Sequence, residues 1–262
     1  MSEPIYNQIG VGYNNNRAAD PYIAERIVAQ LQPTSDGIYL DIGCGTANYT
    51  HYIAQKGFIF YGVDPSDIML DIAKTKNIGG TFTKATAEQI PFEDNFFDGA
   101  IAMLTLHHWK NKQQGFNELY RVLKPNSKLV FLSFTGEQMN GYWLKEYFPE
   151  MIKQSGELII PDEKEMFAMF TKAGFSDIQT EKYFVQPDIQ DHFLYSYKFQ
   201  PEKYLDAEVR KGSSGFTNFC SKQELECGLK LLEDDITSGK IKEIIKSYEN
   251  DKGDYLFYNA VK

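Results

Sequence analysis

Residues 39–50, YLDIGCGTANYT, carry the strongest indication of the fold. A hydrophobic strand leads into two glycines one residue apart, Gly43 and Gly45, and then into polar sequence compatible with a helix. Glycine adopts positive φ and leaves no Cβ between the backbone and a ligand. We therefore predict a strand–turn–helix unit that holds either a nucleotide phosphate or an amino-acid carboxylate at the N-terminus of its helix.

Apolar runs alternate with amphipathic helices on both sides of this unit. The helix predicted over 20–32 has Ile23, Ile27 and Leu31 four residues apart, with Asp20 as its N-cap. Strands that are apolar nearly throughout are typical of a parallel sheet covered on both faces. The five predicted strands lie in the segments GIYLDIG, FIFYGVD, GTFTKA, FFDGAIAMLTL and SKLVFLSF. Right-handed crossovers then favour an α/β, doubly wound sheet.

The alternation breaks after Phe134. Residues 136–160 are rich in aromatic residues without a clean period, whereas a helix and a strand return before residue 188. The following segment is predicted to be mostly helical and includes a capping box from Ser221 to Glu224, and GDYLFYNAVK is the last strand. We predict one domain over residues 1–262, with its core in 20–135, 161–187 and 250–262 and a cap or lid from 1–19, 136–160 and 188–249.

Composition disfavours several classes of protein. The net charge of -9, without a basic stripe, disfavours a nucleic-acid partner. Three cysteines without CxxC spacing disfavour a disulfide framework or a zinc site, and we expect no metal. The N-terminal sequence MSEPIYNQIG lacks the features of a signal peptide, and no apolar run has the length of a membrane span. We expect a cytoplasmic protein, without a membrane partner.

Asp64 ends the second predicted strand, 21 positions beyond Gly43. A carboxylate there can accept hydrogen bonds from both hydroxyls of a ribose, whether the ligand is NAD or another adenosine compound. The dinucleotide-binding fingerprint needs a third glycine at position 48, where this chain has Asn48. This departure weakens the phosphate alternative, while a structural role for Asp64 as a helix cap stays open.

The spacing Asp41-x-Gly43-x-Gly45-x-Ala47 resembles the first motif of class I S-adenosylmethionine-dependent methyltransferases. KATAEQIPFEDNFFDGAIAMLTLHHW at 84–109 resembles their third and fourth motifs, and RVLKPNSKLVFLSF at 121–134 their post-core helix and fifth strand. The resemblance implies a Rossmann-like, doubly wound seven-stranded sheet, mostly parallel with an antiparallel C-terminal strand, and a helical cap insertion. It also implies S-adenosyl-L-methionine as the cofactor.

By this resemblance, amides of the glycine loop hold the methionine carboxylate, Asp41 or a carbonyl accepts from the ammonium, and Asp64 holds the ribose. Ala47 stands where the family usually has a third glycine, a mild change because alanine suits the first turn of a helix. The complete implied cofactor set is Tyr13, Arg17, Asp41, Gly43, Cys44, Gly45, Asn48, Asp64, Pro65, Met69, Thr86, Ala87, Glu88 and Leu104. Within it, Tyr13 and Arg17 belong to a lid segment, and Thr86 to Glu88 bracket the adenine.

A sulfonium methyl is an activated electrophile, so the protein chiefly has to align it with the acceptor and exclude water. His107 and His108 are candidate catalytic bases, with packing and solvation as the alternative. His107, Tyr142, Trp143 and Phe216 are candidate acceptor-binding residues, although core packing explains the aromatic ones as well.

These residues predict a methyltransferase acting on O, N or C of a small-molecule acceptor, as a monomer or a homodimer. Three alternatives stay open. They are a non-catalytic S-adenosylmethionine sensor, an NAD(P)-dependent oxidoreductase, and a metal-dependent catechol-type methyltransferase.

Overall fold

The computed structural model describes residues 17–76, 80–156 and 160–262, so the predicted contact of Tyr13 lies outside the described residues. Seven strands form its central sheet. Along the chain they are β1 Ile38–Ile42, β2 Ile59–Asp64, β3 Phe82–Lys84, β4 Phe97–Met103, β5 Leu123–Ser133, β6 Ser176–Tyr183 and β7 Tyr255–Val261.

Helices flank the strands and form the cap. The first four are α1 Pro21–Leu31, α2 Asn48–Ala54, α3 Asp67–Lys74 and α4 Lys112–Val122. They are followed by α5 Gly136–Asn140, α6 Pro149–Gly156, α7 Glu163–Ala173, α8 Ala207–Lys211, α9 Ser214–Phe219, α10 Lys222–Ser238 and α11 Ile241–Ser247. Three 3₁₀ turns complete the described elements, at Leu106–His108, Trp143–Glu146 and Pro201–Leu205.

The strand order is β3-β2-β1-β4-β5-β7-β6. β1 pairs in parallel with both β2 and β4, and β7 lies antiparallel between β5 and β6. The predicted doubly wound sheet and its antiparallel C-terminal strand are confirmed. Because the order reverses between β1 and β4, the loops that follow these strands open a crevice at one edge of the sheet, where ligands bind in such folds.

The first described helix begins as its sequence predicts. The side chain of Asp20 accepts a hydrogen bond of 3.0 Å from the Ile23 amide, and Pro21 occupies the first helical position. Ile23, Ile27 and Leu31 are buried, which confirms the predicted apolar face. Burial of this face against the sheet fixes α1 beside the crevice.

The capping box predicted at α10 forms only in part. Ser221 Oγ accepts from the Glu224 amide at 3.1 Å, as predicted. The Glu224 carboxylate, however, accepts from the amides of Glu150 and Met151 at the start of α6. The reciprocal half of the box is therefore wrong, because tertiary packing brings this carboxylate to a second helix that needs an acceptor.

Two buried clusters cover the two faces of the sheet. One contains α4 and α7 residues such as Phe116 and Phe170. The other joins α1 and α2 to the aromatic residues of the cap, among them Trp143 and Tyr204. Residues 184–200, which we term the strap, run from β6 into the cap and carry Phe193 into this second cluster. The cap is thus continuous with one face of the sheet.

Candidate functional site

The two glycines of the loop after β1 have different surroundings, because only the first lies too close to a neighbouring residue to be replaced by a residue with a side chain. Gly43 has φ of 71°, and a Cβ built there would lie 2.0 Å from Thr105 Oγ1. Gly45 has φ of 53° and open space within 4 Å. Gly45 therefore leaves the backbone uncovered on the side of the crevice.

The amides of this loop are already hydrogen-bonded within the protein. Those of Gly43 and Cys44 both donate to the Val63 carbonyl, at 2.8 and 3.1 Å, and that of Gly45 donates to Asp64 Oδ2 at 3.0 Å. The sequence predicted that they hold a carboxylate. In the structure their first role is to fix the loop against β2, and the open backbone at Gly45 is what the loop offers to a ligand.

Ala47 departs from its predicted conformation. It is the N-cap of α2, with φ of 60° and ψ of 37°, and not a residue of the first helical turn. This left-handed conformation is unfavourable for alanine and suits glycine. Ala47, in the third glycine position, therefore has a strained backbone. A 2.8 Å hydrogen bond from the Ala47 amide to the Cys44 carbonyl closes the turn and holds it in this conformation.

Asp64 lies at the end of β2, opposite the glycine loop. Its Oδ2 accepts from the Gly45 amide and its Oδ1 accepts from the Ser66 amide at 2.8 Å. Burial raises the pKa of this carboxyl, and the two backbone hydrogen bonds act against that rise. Ser66, not Asp64, caps α3, through a bond from the Met69 amide. The carboxylate is thus held rigidly at the rim of the crevice.

Asp41 lies at the carboxyl end of β1, beneath the loop. Its Oδ2 accepts from the Thr50 hydroxyl, whereas its buried Oδ1 has no hydrogen-bond partner among the described residues. Burial raises the pKa of this carboxyl to about 7, opposed by the Thr50 hydrogen bond and reinforced by the charge of Asp64. An unpaired buried carboxylate oxygen is costly, so this atom suits a cationic ligand group.

Arg17 reaches the same region from the start of the described chain. Its guanidinium binds the carboxylate of Asp191 in the strap through two nitrogens, one bond being 3.1 Å, and Tyr49 donates to the same carboxylate at 3.0 Å. Asp191 is only 1% exposed. The Arg17 carbonyl also accepts from Asn48 Nδ2 at 2.9 Å. The predicted cation is therefore present at the site and is locked to the strap.

A cleft of about 1070 Å³, including its open mouth, lies above these groups. A smaller cavity of about 480 Å³, which also includes its open side, adjoins it around the loop. Both spaces are lined by Arg17, Gly43, Gly45, Met103 and Leu104. Of the other predicted cofactor residues, the cleft wall includes Asp64, Pro65 and Met69, and the smaller cavity includes Asp41, Cys44 and Asn48. The structure thus brings most of the predicted cofactor set together.

Leu104 marks the boundary between these two spaces. It lines both cavities and has φ of 50°, a left-handed conformation that is rare for a branched apolar residue. Its amide donates to the Leu132 carbonyl at 2.9 Å, which holds the strained turn against β5. Strain of this kind concentrates at functional sites.

His107 and His108 line the cleft on the 3₁₀ turn after β4. Their rings lie 3.8 Å apart between centroids, and His107 also packs 5.8 Å from Phe134. Burial lowers the pKa of His107 well below its ordinary value and, with the nearby charge of Arg17, lowers that of His108 to about 4. Both imidazoles are therefore neutral near pH 7.

The structure places several other predicted residues away from the cleft wall. Thr86, Ala87 and Glu88 form a turn whose Glu88 carboxylate accepts from the Asn111 amide at 3.0 Å. Trp143 donates from Nε1 to the Lys198 carbonyl at 3.0 Å, inside the cap. Phe216 packs on Phe148 with centroids 5.0 Å apart. Tyr142, in contrast, is part of the wall and stacks 3.8 Å from Tyr195.

Some residues of the wall were missed by sequence reasoning. They come from the end of β4, from the cap and from the strap, and include Met103, Thr105, Met139, Ser155, Phe193, Leu194 and Ser213. Thr105 had a signal, since it lies two residues beyond the end of β4 at the crevice edge. Ser155 and the strap residues had none, because only tertiary folding brings them to the sheet.

Two further features concern metals and membranes. Within residues 17–76, 80–156 and 160–262, no three His, Cys, Asp or Glu side chains group closely enough to hold a metal ion. In the same residues, no helix combines the length and apolar character needed to cross a membrane.

Comparison with known proteins identifies the family. A family model described as a methyltransferase domain matches residues 40–131. A demethylmenaquinone methyltransferase of Bacillus pumilus is 30% identical over 168 residues, which are 53% of this chain and 70% of that protein. An uncharacterized methyltransferase of Mycobacterium tuberculosis is 31% identical over 127 residues, 48% of this chain and 51% of that protein, so this chain spans about half the length of the mycobacterial relative.

The fold comparison covers nearly the whole chain. A crystal structure from Anabaena variabilis, described as a methyltransferase from an antibiotic biosynthesis pathway, matches with a TM-score of 0.84 and 28% identity. The match covers 94% of this chain and 99% of that one. The sheet order, the loop after β1 and these relatives agree. The chain therefore belongs to the methyltransferase-domain family of class I S-adenosylmethionine-dependent methyltransferases.

Proposed function

We propose that this protein transfers a methyl group from S-adenosyl-L-methionine to O, N or C of a small-molecule acceptor by in-line displacement. The observation that carries the proposal is the pair of adjoining cavities. The smaller one surrounds the glycine loop, Asp41 and Arg17, and the larger one extends from Asp64 to the aromatic wall of the cap. One ligand bound along the loop would thus reach a second ligand in the cleft.

The groups around the loop fit the cofactor. Oδ1 of Asp41, which has no partner among the described residues, would accept from an ammonium, and the guanidinium of Arg17, although paired with Asp191, lines the same cavity and would contact a carboxylate there. Asp64 retains lone pairs for ribose hydroxyls after accepting from two amides. The cofactor supplies an activated methyl group when bound. The backbone at Gly45 leaves room for it, because no atom lies within 4 Å of a Cβ built there.

The chain contributes to the reaction mainly by orientation. Neutral His107 and His108 can accept a hydrogen bond from a hydroxyl or amine of the acceptor, although their lowered pKa makes them weak bases. The packed rings of Phe134 and Tyr255, 5.9 Å apart, form part of a rigid wall. Alignment and exclusion of water by such a wall are the principal requirements of methyl transfer.

Titration calorimetry with S-adenosyl-L-methionine tests the proposal. We expect binding by the wild type and about 10- to 100-fold weaker binding by Asp64→Ala, because hydrogen bonds to a charged group are worth about 1.5–3 kcal/mol. Asp67→Ala is the matched control, since this exposed carboxylate three residues along binds Lys84. Binding of NAD in place of the cofactor would contradict the proposal.

Turnover separates an enzyme from a sensor. The protein is incubated with cofactor labelled in its methyl group and a metabolite extract, and transfer of the label to a small molecule is expected. Tight cofactor binding without label transfer from any extract tested would favour the non-catalytic sensor.

A further inference from the structure

Ser155 is a buried polar residue in the wall of the cleft that the mechanism above does not use. It lies in the last turn of α6 and is 8% exposed. Its Oγ is buried and has no hydrogen-bond partner among residues 17–76, 80–156 and 160–262. A buried hydroxyl without a partner costs free energy, so such a group at a cavity wall is a candidate for binding a ligand.

The cleft wall that includes Ser155 contains the aromatic residues Phe134, Tyr142, Phe193 and Tyr255, together with the hydroxyl groups of Thr105, Ser213 and Ser214. The hydroxyl of Tyr142 is already committed, because it donates to the Asp254 carbonyl at 2.5 Å. Flat apolar molecules fit walls of this kind, in which a few polar groups fix the orientation of the ligand.

Charge in the wall is confined to the cofactor side. Among the described residues that line the cleft, the carboxylates and permanent cations are Asp64 and Arg17. Arg17 is paired with Asp191, and Asp64 is held by the glycine loop. A charged acceptor placed against the cap would lose its hydration without gaining a counter-charge there.

We propose that the acceptor is a neutral, largely apolar aromatic molecule carrying a hydroxyl or carbonyl group, and that Ser155 Oγ is the residue that binds this oxygen. The proposal deepens the proposed function and rests on it, because the cleft is taken as the acceptor site. Ser155 would determine specificity without taking part in the displacement, since it lies on the cap and not on the glycine loop.

The test compares four probes of one shape: 2-naphthol, naphthalene, 2-naphthoate and 2-naphthylmethylamine, which is a cation at pH 7. Affinities are measured by calorimetry on protein loaded with S-adenosylhomocysteine. We expect 2-naphthol to bind about three- to tenfold more tightly than naphthalene, the effect of one hydrogen bond. The anion and the cation are expected to bind at least tenfold more weakly than 2-naphthol.

Ser155→Ala should reduce the advantage of 2-naphthol over naphthalene, with His107 and His108 accounting for what remains, and should leave the affinity for naphthalene unchanged. Ser196→Ala is the matched control. Ser196 lies in the strap and, like Ser155, is buried, at 3% exposed, with no hydrogen-bond partner for its Oγ among the described residues. Unlike Ser155, it is not part of the cleft wall. This control variant should retain the full advantage of 2-naphthol.

Three results would overturn the proposal. They are an unchanged 2-naphthol advantage in Ser155→Ala, a charged probe that binds as tightly as 2-naphthol, and the absence of binding by all four probes. Binding of S-adenosylhomocysteine to the protein is measured first, in the same calorimeter cell. Failure of that step contradicts the proposed function, and the four probes are then compared on the unloaded protein, so that the two failures are distinguishable.

Discussion

Asp41 and Asp64 are neighbouring buried carboxyls with different partners. Asp64 accepts a backbone hydrogen bond at each oxygen, whereas Asp41 has one oxygen bound to Thr50 and the other unpartnered among the described residues. The sequence predicted both as cofactor residues, Asp64 from its position at the end of the second strand and Asp41 from the resemblance to the first methyltransferase motif. It could not predict that the loop amides would be occupied, since their acceptors, Val63 and Asp64, become neighbours only when β1 pairs with β2.

The raised pKa of Asp41 predicts a pH dependence of stability. With 3.8 as the ordinary value and about 7 in the native protein, the folded state binds a proton between these pH values that the unfolded state has lost. This contribution is therefore complete below about pH 4 and is lost as the pH rises to about 7. Between pH 5 and pH 8 the loss is about 3 kcal/mol.

Urea unfolding of the wild type and of Asp41→Asn at pH 5 and pH 8 measures this contribution. We expect the wild type to lose about 3 kcal/mol relative to the variant over this interval. Asp36→Asn, at an exposed position just before β1, serves as the control and should follow the wild type. Equal pH dependence in the wild type and Asp41→Asn would show that the Asp41 pKa is not raised.

Among the elements, the helices and strands of the core follow the sequence most closely. Local signals were sufficient for α1, where Asp20 caps the helix and three apolar residues share one face. They were insufficient for α2, because the left-handed Ala47 depends on the closure of the loop against β2. Residues 188–200 of the strap were predicted as part of a mostly helical cap, and this is wrong for the strap, because no helix lies between Tyr183 and Pro201. Its contact between Asp191 and Arg17 joins residues 174 positions apart.

Asp191 is the strap residue that binds Arg17 and Tyr49. The strap is also held by two other buried carboxylates, Asp20, which accepts from the Gln190 amide, and Asp254, which accepts from the Val185 amide. Asp191→Ala would remove the carboxylate that accepts from the Arg17 guanidinium and from the Tyr49 hydroxyl. We expect this variant to lose about 3–5 kcal/mol of unfolding free energy, as when one partner of a buried ion pair is removed. Chemical denaturation measures the loss.

Asp188→Ala tests whether that effect is specific. Asp188 is exposed on the same strap, so its removal should change stability by less than about 0.5 kcal/mol. Limited proteolysis provides a second measurement, with faster cleavage of the strap expected in Asp191→Ala only. Similar losses in both variants would mean that Asp191 does not fasten the strap.

The whole molecule has one apolar cluster that passes from the sheet into the cap. The sequence predicts a single domain. Among the described residues, cap residues such as Tyr147 and Phe148 belong to the same cluster as Ile23 and Val130. The composition showed a high content of aromatic residues but did not indicate where they pack in the fold. Their partners lie far apart in the sequence, so no local periodicity could distinguish cap packing from pocket lining.

The two tryptophans allow this continuity to be measured. Trp109 belongs to the cluster on the opposite face of the sheet, and Trp143 belongs to the cap. Trp109→Phe and Trp143→Phe each leave one tryptophan. In each variant, urea unfolding is followed by the fluorescence of the remaining tryptophan and by circular dichroism of the same sample. We expect both signals to give the same urea midpoint. An earlier fluorescence transition from Trp143 would show that the cap unfolds separately.

The position of β7 has a consequence for how the protein is made. This strand follows every other described element along the chain, yet it fills the gap between β5 and β6 in the finished sheet. During synthesis, both of those strands leave the ribosome with an open edge facing the vacancy, and open edges invite pairing with other chains. We therefore expect the nascent polypeptide to be prone to aggregation in the interval between translation of residue 183 and translation of residue 261.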